Sequence, residues 1–278
     1  MPEGDTILRA ARTLARALEG RTVLAARSPL PALAGSELAG RKIDRIEARG
    51  KNLLFHFDDG RVLHSHMRMT GSWHLYRPGE RWRKPERFAR LVLETDAFVA
   101  VCFHAPVIEI LSARSAIRHP SLSRLGADIL AETFDVAAAA AAIRSLGEVP
   151  IGEALLHQGA VAGIGNIYKS ESLFAAKLDP FLSVASLPRA EIERVLLLAR
   201  RLMQASLGPG ALAATRPGSA RGFRVYRRAG KACATCGATI VVRRQGDAGR
   251  STYWCPRCQG STAPRRGAAH TPPGDPIS

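Results

Sequence analysis

The chain has 278 residues, of which 46% are hydrophobic and 23% are charged. This composition is ordinary for a globular protein and excludes disorder throughout the chain. Lysine and arginine outnumber aspartate and glutamate by 40 to 24, which gives a formal net charge of +16. This excess predicts a polyanionic partner such as nucleic acid, although basic surfaces also bind membranes.

No stretch of the sequence predicts a membrane span or a secretion signal. The most apolar stretch, residues 154–168, is interrupted by polar residues and glycines. The first residues carry neither a basic segment nor an apolar core, which a secretion signal requires. We therefore expect a soluble, cytoplasmic protein.

Residues 1–126 are predicted to form a helix followed by repeated short strands. Apolar residues recur at helical spacing from Ile7 to Leu18, and Asp5 is the expected N-cap. Strands are predicted over residues 22–26, 42–48, 52–57, 62–66, 91–94 and 98–103. Asp-Asp-Gly at residues 58–60 predicts a hairpin turn. Because no helices alternate with these strands, the pattern favours an antiparallel sandwich over a parallel sheet.

Residues 127–228 are predicted to form a helical domain. Helices are expected over residues 135–146, 151–157, 166–177 and from 186 onward, where Ser186 is the expected cap. The turn Gly163-Ile164-Gly165 precedes the third of these helices, and glycine lets backbone N–H groups approach a phosphate closely. Asn166 either caps that helix or gives its amide to a phosphate oxygen. Together with the net charge, the turn indicates a DNA-binding helix pair.

Four of the five cysteines form two CxxC pairs within a ribbon over residues 229–260. The pairs are Cys233 with Cys236 and Cys255 with Cys258. Their spacing predicts one structural zinc ion with four thiolate ligands, and the alternatives are two disulfides or a redox motif. His64, His66 and His104 are expected to pack or to form hydrogen bonds, because the zinc ligand set is already full. Cys102 is expected to be buried and inert.

The C-terminal part of the chain is strongly basic. Nine basic residues and one acidic residue lie between Arg216 and Arg250, together with Phe223 and Tyr226. This pattern favours a phosphate-binding surface over an ordinary solvated face. Residues 261–278, which are rich in proline, glycine and alanine, are predicted to be a disordered tail.

The N-terminus offers a nucleophile. Removal of Met1 would leave Pro2 with a free secondary amine. An α-amino group has a pKa near 8, so part of it is neutral at pH 7 and can form an iminium with an aldehyde-like carbon. Glu3 lies beside it as a general acid or base. The alternative is that Pro2 and Glu3 only begin a chain whose helix starts at Asp5.

Four motifs then carry a family resemblance. Pro2-Glu3-Gly4, Arg-Gly-Lys-Asn-Leu-Leu at residues 49–54, Gly-Ile-Gly-Asn-Ile-Tyr at residues 163–168 and the four-cysteine ribbon occur in this order. The chain thereby resembles the formamidopyrimidine-DNA glycosylase/endonuclease VIII family of base-excision repair enzymes over residues 2–259. Its first residues most resemble the actinobacterial endonuclease VIII branch.

The resemblance implies an α+β multidomain fold with DNA in a cleft between its parts. Its parts are an N-terminal antiparallel β-sandwich with flanking helices over residues 1–126, a helix–two-turn–helix module over residues 127–228 and a C-terminal four-cysteine zinc ribbon over residues 229–260.

The resemblance also implies site residues. Pro2 matches the nucleophile that attacks C1′ of the damaged nucleotide and forms the Schiff base, and Glu3 matches the carboxyl that helps to protonate the sugar or the leaving group. Lys51 matches the hairpin lysine that contacts a phosphate near the lesion and supports catalysis. Asn166 matches the asparagine that binds a backbone phosphate, and Arg250 matches the zinc-finger arginine of the catalytic site beside the phosphates of the lesion.

Other matched positions concern DNA distortion and departures from the family. Arg68, Met69 and Thr70 align with the intercalating loop that fills the gap of the flipped nucleotide, with Met69 as the wedge. Thr6 stands where many members carry glutamate, so the role of that glutamate does not transfer. Glu171 aligns with a family acid near the active site, but it could also be a charge on the helix surface.

The expected function is a bifunctional DNA glycosylase and AP lyase that removes oxidised pyrimidines with β,δ-elimination. The alternatives are the same chemistry on oxidised purines, a non-catalytic zinc DNA-binding protein and a general binder of anionic surfaces. The expected partners are damaged DNA and one structural zinc ion, with no membrane and no small-molecule cofactor. We expect a monomer that acts in the cytoplasm, at the nucleoid.

Overall fold

Two four-stranded antiparallel sheets and one long helix form the N-terminal part. The computed structural model describes residues 2–33, 38–208 and 222–260. Helix α1 (Gly4–Leu18) comes first. The first sheet has the order β1–β6–β7–β5, with strands β1 (Ala25–Arg27), β5 (Ser72–Tyr76), β6 (Ala89–Glu94) and β7 (Val99–Phe103). The second sheet has the order β2–β3–β4–β8, with strands β2 (Ile43–Arg49), β3 (Asn52–Phe57), β4 (Arg61–His66) and β8 (Val107–Ser112).

The two sheets and α1 enclose one apolar core. Helix α1 contributes Ile7, Leu14 and Leu18, which recur on one face because the helix repeats every 3.6 residues. Aromatic packing also joins the sheets, since the rings of Phe55 and Trp73 lie 4.8 Å apart. Burial of this core is the main source of stability for the sandwich.

A second apolar core lies within the helical module. The helices are α2 (Ala113–Arg118), α3 (Pro120–Ser123), α4 (Val136–Arg144), α5 (Ile151–Ala154), α6 (Asn166–Ala175) and α7 (Arg189–Ala205). A short parallel pair, β9 (Ala127–Asp128) and β10 (Val161–Ala162), brings the start of this module to the turn before α6. Helix α7 supplies Ile192, Val195 and Leu196, all fully buried.

The last described segment is a small hairpin with a cysteine cluster. Strands β11 (Val241–Gln245) and β12 (Arg250–Trp254) pair antiparallel, and the short helix α8 (Pro256–Gln259) follows. Its apolar core contains only Val225, Ile240 and two of the cysteines as fully packed members, which is too small to hold a fold alone.

The structure confirms the α+β fold class and the hairpin over residues 58–60, where Gly60 has φ +80°. Two capping predictions are wrong. Glu3 occupies the N-cap position of α1, without a side-chain cap bond. Asp5 lies in the first turn of the helix, and its carboxylate accepts a bond from Tyr168 of α6. Ser186 ends a short 3-10 turn, and α7 begins only after Pro188.

Two strands of the sandwich, β5 and β8, were absent from the sequence prediction, as were the short strands β9 to β12. The domain boundaries at residues 126 and 228 stay a prediction, and the predicted tail over residues 261–278 lies outside the described residues, as do Arg216 and Arg221 of the basic stretch.

Candidate active site

Three distant segments meet at the N-terminus of the chain. The backbone N–H of Gly4 donates to the carbonyl oxygen of Gly163 at 2.9 Å. The N–H of Gly50, in the turn between β2 and β3, donates to Oδ2 of Asp128 at 2.7 Å. Gly50 has φ +58°, a conformation that favours glycine, and a side chain there would press on Ala162. The β2–β3 turn, the start of α1 and the turn before α6 are therefore held together.

The carboxylate of Glu3 caps helix α6 from another part of the chain. Its oxygens accept the N–H groups of Gly165 at 3.0 Å, Ile167 at 2.8 Å and Tyr168 at 3.3 Å. These are N–H groups that the first turn of a helix leaves without partners, and the helix dipole adds partial positive charge there. Asn166 is the first residue of α6 and does not cap it, so that alternative from the sequence is wrong.

Burial governs the protonation of Glu3. The residue is 1% exposed, and this desolvation raises the pKa of its carboxyl. The positive charge of Lys51 and the N–H groups of Ile167 and Tyr168 oppose that rise without cancelling it. A carboxyl with a raised pKa keeps its proton to a higher pH than an exposed carboxyl does, which favours its use as a general acid.

Lys51 lies within electrostatic reach of both Glu3 and Arg250. Burial lowers the pKa of Lys51, Glu3 raises it, and Arg250 lowers it further. Arg250 is exposed at the start of β12. The N-terminal part and the cysteine-bearing hairpin thus contribute charged groups that influence one another.

Pro2 is half-buried and precedes Glu3 directly. It lies outside α1, so its ring nitrogen takes no part in the hydrogen bonds of that helix. Its covalent link to Glu3 places it beside the α6 N-terminus.

The amide of Asn166 has an unmatched polar atom. Its Oδ1 is buried and has no hydrogen-bond partner among the described residues. Buried polar atoms are almost always paired in folded proteins, so an orphan one suggests a ligand. Because Oδ1 accepts hydrogen bonds, it fits a donor group of a ligand, whereas the predicted phosphate contact would be made by the Nδ2 group of the same amide and stays a prediction.

Arg68, Met69 and Thr70 form an exposed loop after β4. Met69 is 62% exposed, and Arg68 has φ +44°. Thr70 donates its Oγ1 hydrogen to the carbonyl oxygen of His104 at 3.2 Å, which ties the loop to the end of β7. An exposed apolar side chain on an anchored loop can insert between stacked bases as a wedge.

The sequence did not indicate the contacts that Asp5 and Lys169 make in the site region. The carboxylate of Asp5 accepts bonds from Oη of Tyr168 at 2.8 Å and Oγ of Ser206 at 2.7 Å, which joins α1 to α6 and to the end of α7. Lys169 is fully buried, and its Nζ donates to the carbonyl oxygen of Ser251 and to Oγ1 of Thr252. The partners in these contacts lie far apart in the chain, so no local sequence signal indicates the contacts.

Glu171 holds the segment that leads into the cysteine-bearing hairpin. Its carboxylate accepts the N–H groups of Arg224, Val225 and Tyr226 at 2.8–2.9 Å. The interpretation of Glu171 as a plain surface charge is therefore wrong.

The four cysteines form one metal-binding cluster. The Sγ atoms of Cys233 and Cys258 are 3.9 Å apart, those of Cys236 and Cys255 are 3.4 Å apart, and all four lie within 4.8 Å of one another. A disulfide requires about 2.0 Å, whereas tetrahedral zinc with Zn–S bonds of about 2.3 Å separates its sulfurs by roughly 3.8 Å. The cysteines fit one structural zinc ion and exclude the disulfide alternative.

Comparison with known families agrees with this arrangement. Residues 1–106 match the formamidopyrimidine-DNA glycosylase N-terminal domain, and residues 125–216 match the formamidopyrimidine-DNA glycosylase H2TH domain. Residues 230–260 match the zinc finger found in FPG and IleRS. No helix of the described residues is long and apolar enough to cross a membrane.

Curated relatives match along nearly the whole chain. A probable endonuclease 8 2 of Streptomyces coelicolor is 40% identical over 96% of this chain and 97% of its own length. Endonuclease 8 2 of Mycobacterium tuberculosis is 34% identical over 93% of this chain and all of its own. A DNA-(apurinic or apyrimidinic site) lyase Nei2 of Mycolicibacterium smegmatis is 34% identical over 93% of this chain and 99% of its own.

Solved structures share the fold. Lactococcus lactis Fpg in complex with DNA that contains N7-benzyl-Fapy-dG superposes with a TM-score of 0.78 at 25% identity. The same enzyme with DNA that contains an abasic site gives 0.79 at 26% identity. Each match covers 94% of this chain and 100% of the other.

The fold and the site define a DNA-repair enzyme built from a β-sandwich, a helix–two-turn–helix module and a zinc finger. The chain belongs to the formamidopyrimidine-DNA glycosylase/endonuclease VIII family. It is accordingly a bifunctional DNA glycosylase and AP lyase of base-excision repair.

Proposed function

We propose that this enzyme removes oxidised pyrimidines from DNA through a Schiff base on the nitrogen of Pro2. The observation that carries the proposal is the buried Glu3 carboxyl, held by three N–H groups at the start of α6 directly after Pro2. The pyrimidine preference is supported by the endonuclease 8 relatives at 34–40% identity.

The chemistry begins once Met1 has been removed. The Pro2 nitrogen attacks C1′ of a flipped nucleotide, the bond from C1′ to the base breaks, and the base leaves with a proton. Glu3 is the donor of a proton to the sugar or the leaving base, because burial raises the pKa of its carboxyl. The bond from C1′ to O4′ then breaks, O4′ takes a proton, and the sugar ring opens to the iminium. This iminium acidifies C2′–H, so β-elimination breaks the bond from C3′ to oxygen. A following δ-elimination breaks the bond from C5′ to oxygen and leaves a one-nucleotide gap.

Three polar side chains are proposed to hold the DNA backbone. Lys51 lies close enough to Glu3 for the charge of each to shift the pKa of the other, so a phosphate bound by Lys51 would lie beside the reacting sugar. Arg250 supplies a second cation from the zinc finger, and Asn166 supplies an amide at the α6 N-terminus.

Extrusion of the nucleotide leaves a gap in the duplex that side chains must fill. We assign this task to Arg68, Met69 and Thr70, with Met69 stacked between bases. Its 62% exposure and the anchoring of Thr70 to His104 support that assignment.

Oxidised purines are the second candidate substrate class. A solved neighbour at 25% identity is bound to DNA that contains N7-benzyl-Fapy-dG, a damaged purine. We further propose that the enzyme acts as a monomer without a small-molecule cofactor, in the cytoplasm at the nucleoid where chromosomal damage arises.

A lesion panel tests the substrate class. Protein whose N-terminus has been confirmed by mass spectrometry is assayed on thymine glycol, 5,6-dihydrouracil, 8-oxoguanine and an abasic site, each in single- and double-stranded DNA. We expect excision of the two pyrimidine lesions to exceed that of 8-oxoguanine, and the reverse order would select the purine class.

Borohydride trapping tests the nucleophile. The wild-type protein should become linked covalently to DNA that contains an abasic site, and Pro2→Gly should reduce that yield strongly. If a chain that begins at Pro2 binds this DNA without being trapped, the Schiff-base mechanism is wrong. A lack of preference for damaged over intact duplex at matched salt would indicate a general anion binder.

A further inference from the structure

His64, Glu109 and His119 converge on one point beside the β2–β3–β4–β8 sheet. His64 lies on β4, Glu109 on the neighbouring strand β8, and His119 between α2 and α3. Oε1 of Glu109 is 2.9 Å from Nδ1 of His64 and 3.2 Å from Nε2 of His119. The three atoms lie within 4.8 Å of one another. Donors bound at about 2.0–2.1 Å to one tetrahedral ion are roughly 3.4 Å apart, so this spacing suits a single ion.

The hydrogen bonds of His64 leave a lone pair facing that point. Nε2 of His64 is 2.9 Å from Oδ1 of Asn52, and Nδ2 of Asn52 donates to the carbonyl oxygen of Arg49 at 3.1 Å. The Arg49 bond fixes the orientation of the amide, so Nε2 of His64 is the ring nitrogen that carries a proton. In a neutral imidazole, Nδ1 is then an acceptor, yet it faces the carboxylate of Glu109, which is also an acceptor.

A cation resolves this conflict between two acceptors. The alternative is one proton between the two groups, carried either by His64, where a charge at 1% exposure is costly, or by Glu109 as a neutral carboxyl. An ion between Nδ1 and Glu109 would use both lone pairs. Asn52 would then be the outer partner that fixes the tautomer and the ring orientation of a metal-bound histidine.

We propose that His64, Glu109 and His119 form a second metal site, for a divalent transition-metal ion such as zinc. Two imidazoles and one carboxylate suit zinc and leave a fourth position for water. The sequence-based expectation that His64 packs or forms hydrogen bonds is confirmed by its contacts with Asn52 and Glu109, and the proposal adds the role of a metal ligand. That expectation treated the four cysteines as the complete set of metal ligands. The proposal does not rest on the substrate class or on the Schiff base.

Such an ion would stabilise the turn that carries Lys51. It would join β4 and β8 to the segment between α2 and α3, and it would hold His64 against Asn52, the residue that follows Lys51. An ion that binds only the folded chain raises stability by mass action. Added zinc should therefore raise the melting temperature of the protein.

The test counts zinc ions bound to the full-length protein. Protein loaded with zinc is dialysed against increasing concentrations of zinc, and the bound metal is measured by mass spectrometry of the dissolved sample. We expect two equivalents in the wild type, but one in Glu109→Gln and one in His119→Gln. The matched control is His56→Gln, because His56 bonds to Glu47 at 2.9 Å without belonging to a three-ligand group in the described part of the chain.

The outcomes separate the site from a simple ion pair. If the wild type binds one equivalent at every zinc concentration, the proposal is wrong and a single proton joins His64 to Glu109. Retention of the second equivalent by both ligand variants would also overturn it. Added zinc should raise the melting temperature of the wild type and of His56→Gln but not that of Glu109→Gln, and an equal rise in all three would contradict the site.

Discussion

At the scale of single residues, the carboxylate of Glu3 is both a cap for α6 and a proposed proton donor. It receives three N–H groups, which favour its charged form, yet its burial favours the neutral form more strongly. The balance leaves its pKa raised. This explains why a group needed for acid catalysis can also be a fixed structural element.

Replacement of this carboxyl should separate the two chemical steps. In Glu3→Gln we expect the rate of base excision to fall by about 10²-fold or more, which is the usual loss for a positioned general acid. Attack on a preformed abasic site needs no departure of a base, so borohydride trapping on that DNA should persist. Single-turnover excision and trapping yields measure the two effects.

The control for Glu3→Gln is Glu132→Gln, which changes an exposed glutamate of the helical module. Its excision rate should equal that of the wild type. Excision by Glu3→Gln at the wild-type rate would show that another group protonates the substrate.

At the scale of secondary structure, the N-terminus of α6 depends on space as well as on hydrogen bonds. Gly165 has φ −130°, which any residue adopts, so glycine is not required there for backbone freedom. A Cβ atom at this position would instead overlap Cδ and Oε1 of Glu3. The helix therefore approaches Glu3 only because residue 165 has no side chain.

Gly165→Ala should consequently displace the carboxylate and weaken the fold. We expect a loss of about 1–3 kcal/mol in the free energy of unfolding, as for other overpacked sites, together with reduced excision. Urea denaturation measures the first effect. Gly208→Ala is the matched control, because the nearest atom to a Cβ there is an ordinary contact at 3.9 Å. Equal stability of the two variants would contradict the steric argument.

Sequence patterns predicted correctly those elements whose formation depends on residues close together in the chain. The strand over residues 52–57 matches the prediction, because its apolar residues and the following turn are contiguous in the chain. Strand β5 was missed because four of its five residues are only half-buried, which blurs the period-two pattern. The expected cap at Asp5 was wrong because partners from α6 and α7 engage its carboxylate.

The predicted site residues show the same limit. The family motifs located Glu3 and Lys51 in the sequence, but the bond between Glu3 and Gly165 spans 162 positions and has no local signal. Lys169 and Asp5 could not be found for the same reason, since their partners lie in other elements.

At the scale of the whole molecule, the zinc finger is the part least able to fold without its metal. Its apolar core is small, and the four cysteines gather into one metal-binding group. Because the finger carries Arg250, loss of zinc should abolish tight binding of damaged DNA while the β-sandwich and the helical module stay folded.

Cys236→Ser tests this dependence. We expect it to bind one zinc ion fewer than the wild type, to lose DNA affinity in fluorescence anisotropy and to keep most of its far-ultraviolet circular dichroism. Cys102→Ala is the control, because Cys102 lies in the sandwich core and is not a zinc ligand. Unchanged DNA affinity in Cys236→Ser would show that the finger is dispensable for binding.

Lys169 links the helical module to the zinc finger and makes the stability of the whole molecule depend on pH. Its fully buried Nζ donates to Ser251 and Thr252 on β12. Burial lowers the pKa of Lys169 to about 8, with Glu3 opposing the shift and Arg250 adding to it. In the unfolded chain a lysine has a pKa near 10.4, so between pH 8 and that value the unfolded state binds more protons than the folded state.

The free energy of unfolding should therefore rise with pH over this window, by roughly 3 kcal/mol in total from this residue. Lys169→Met has no proton to lose, so its stability relative to the wild type should fall as the pH is raised from 8 to 10. Urea denaturation at several pH values measures this difference. Lys42→Met, which removes an exposed lysine, should give a constant difference. A constant difference in Lys169→Met as well would mean that Lys169 titrates like an exposed lysine and that its buried bonds to β12 do not persist in solution.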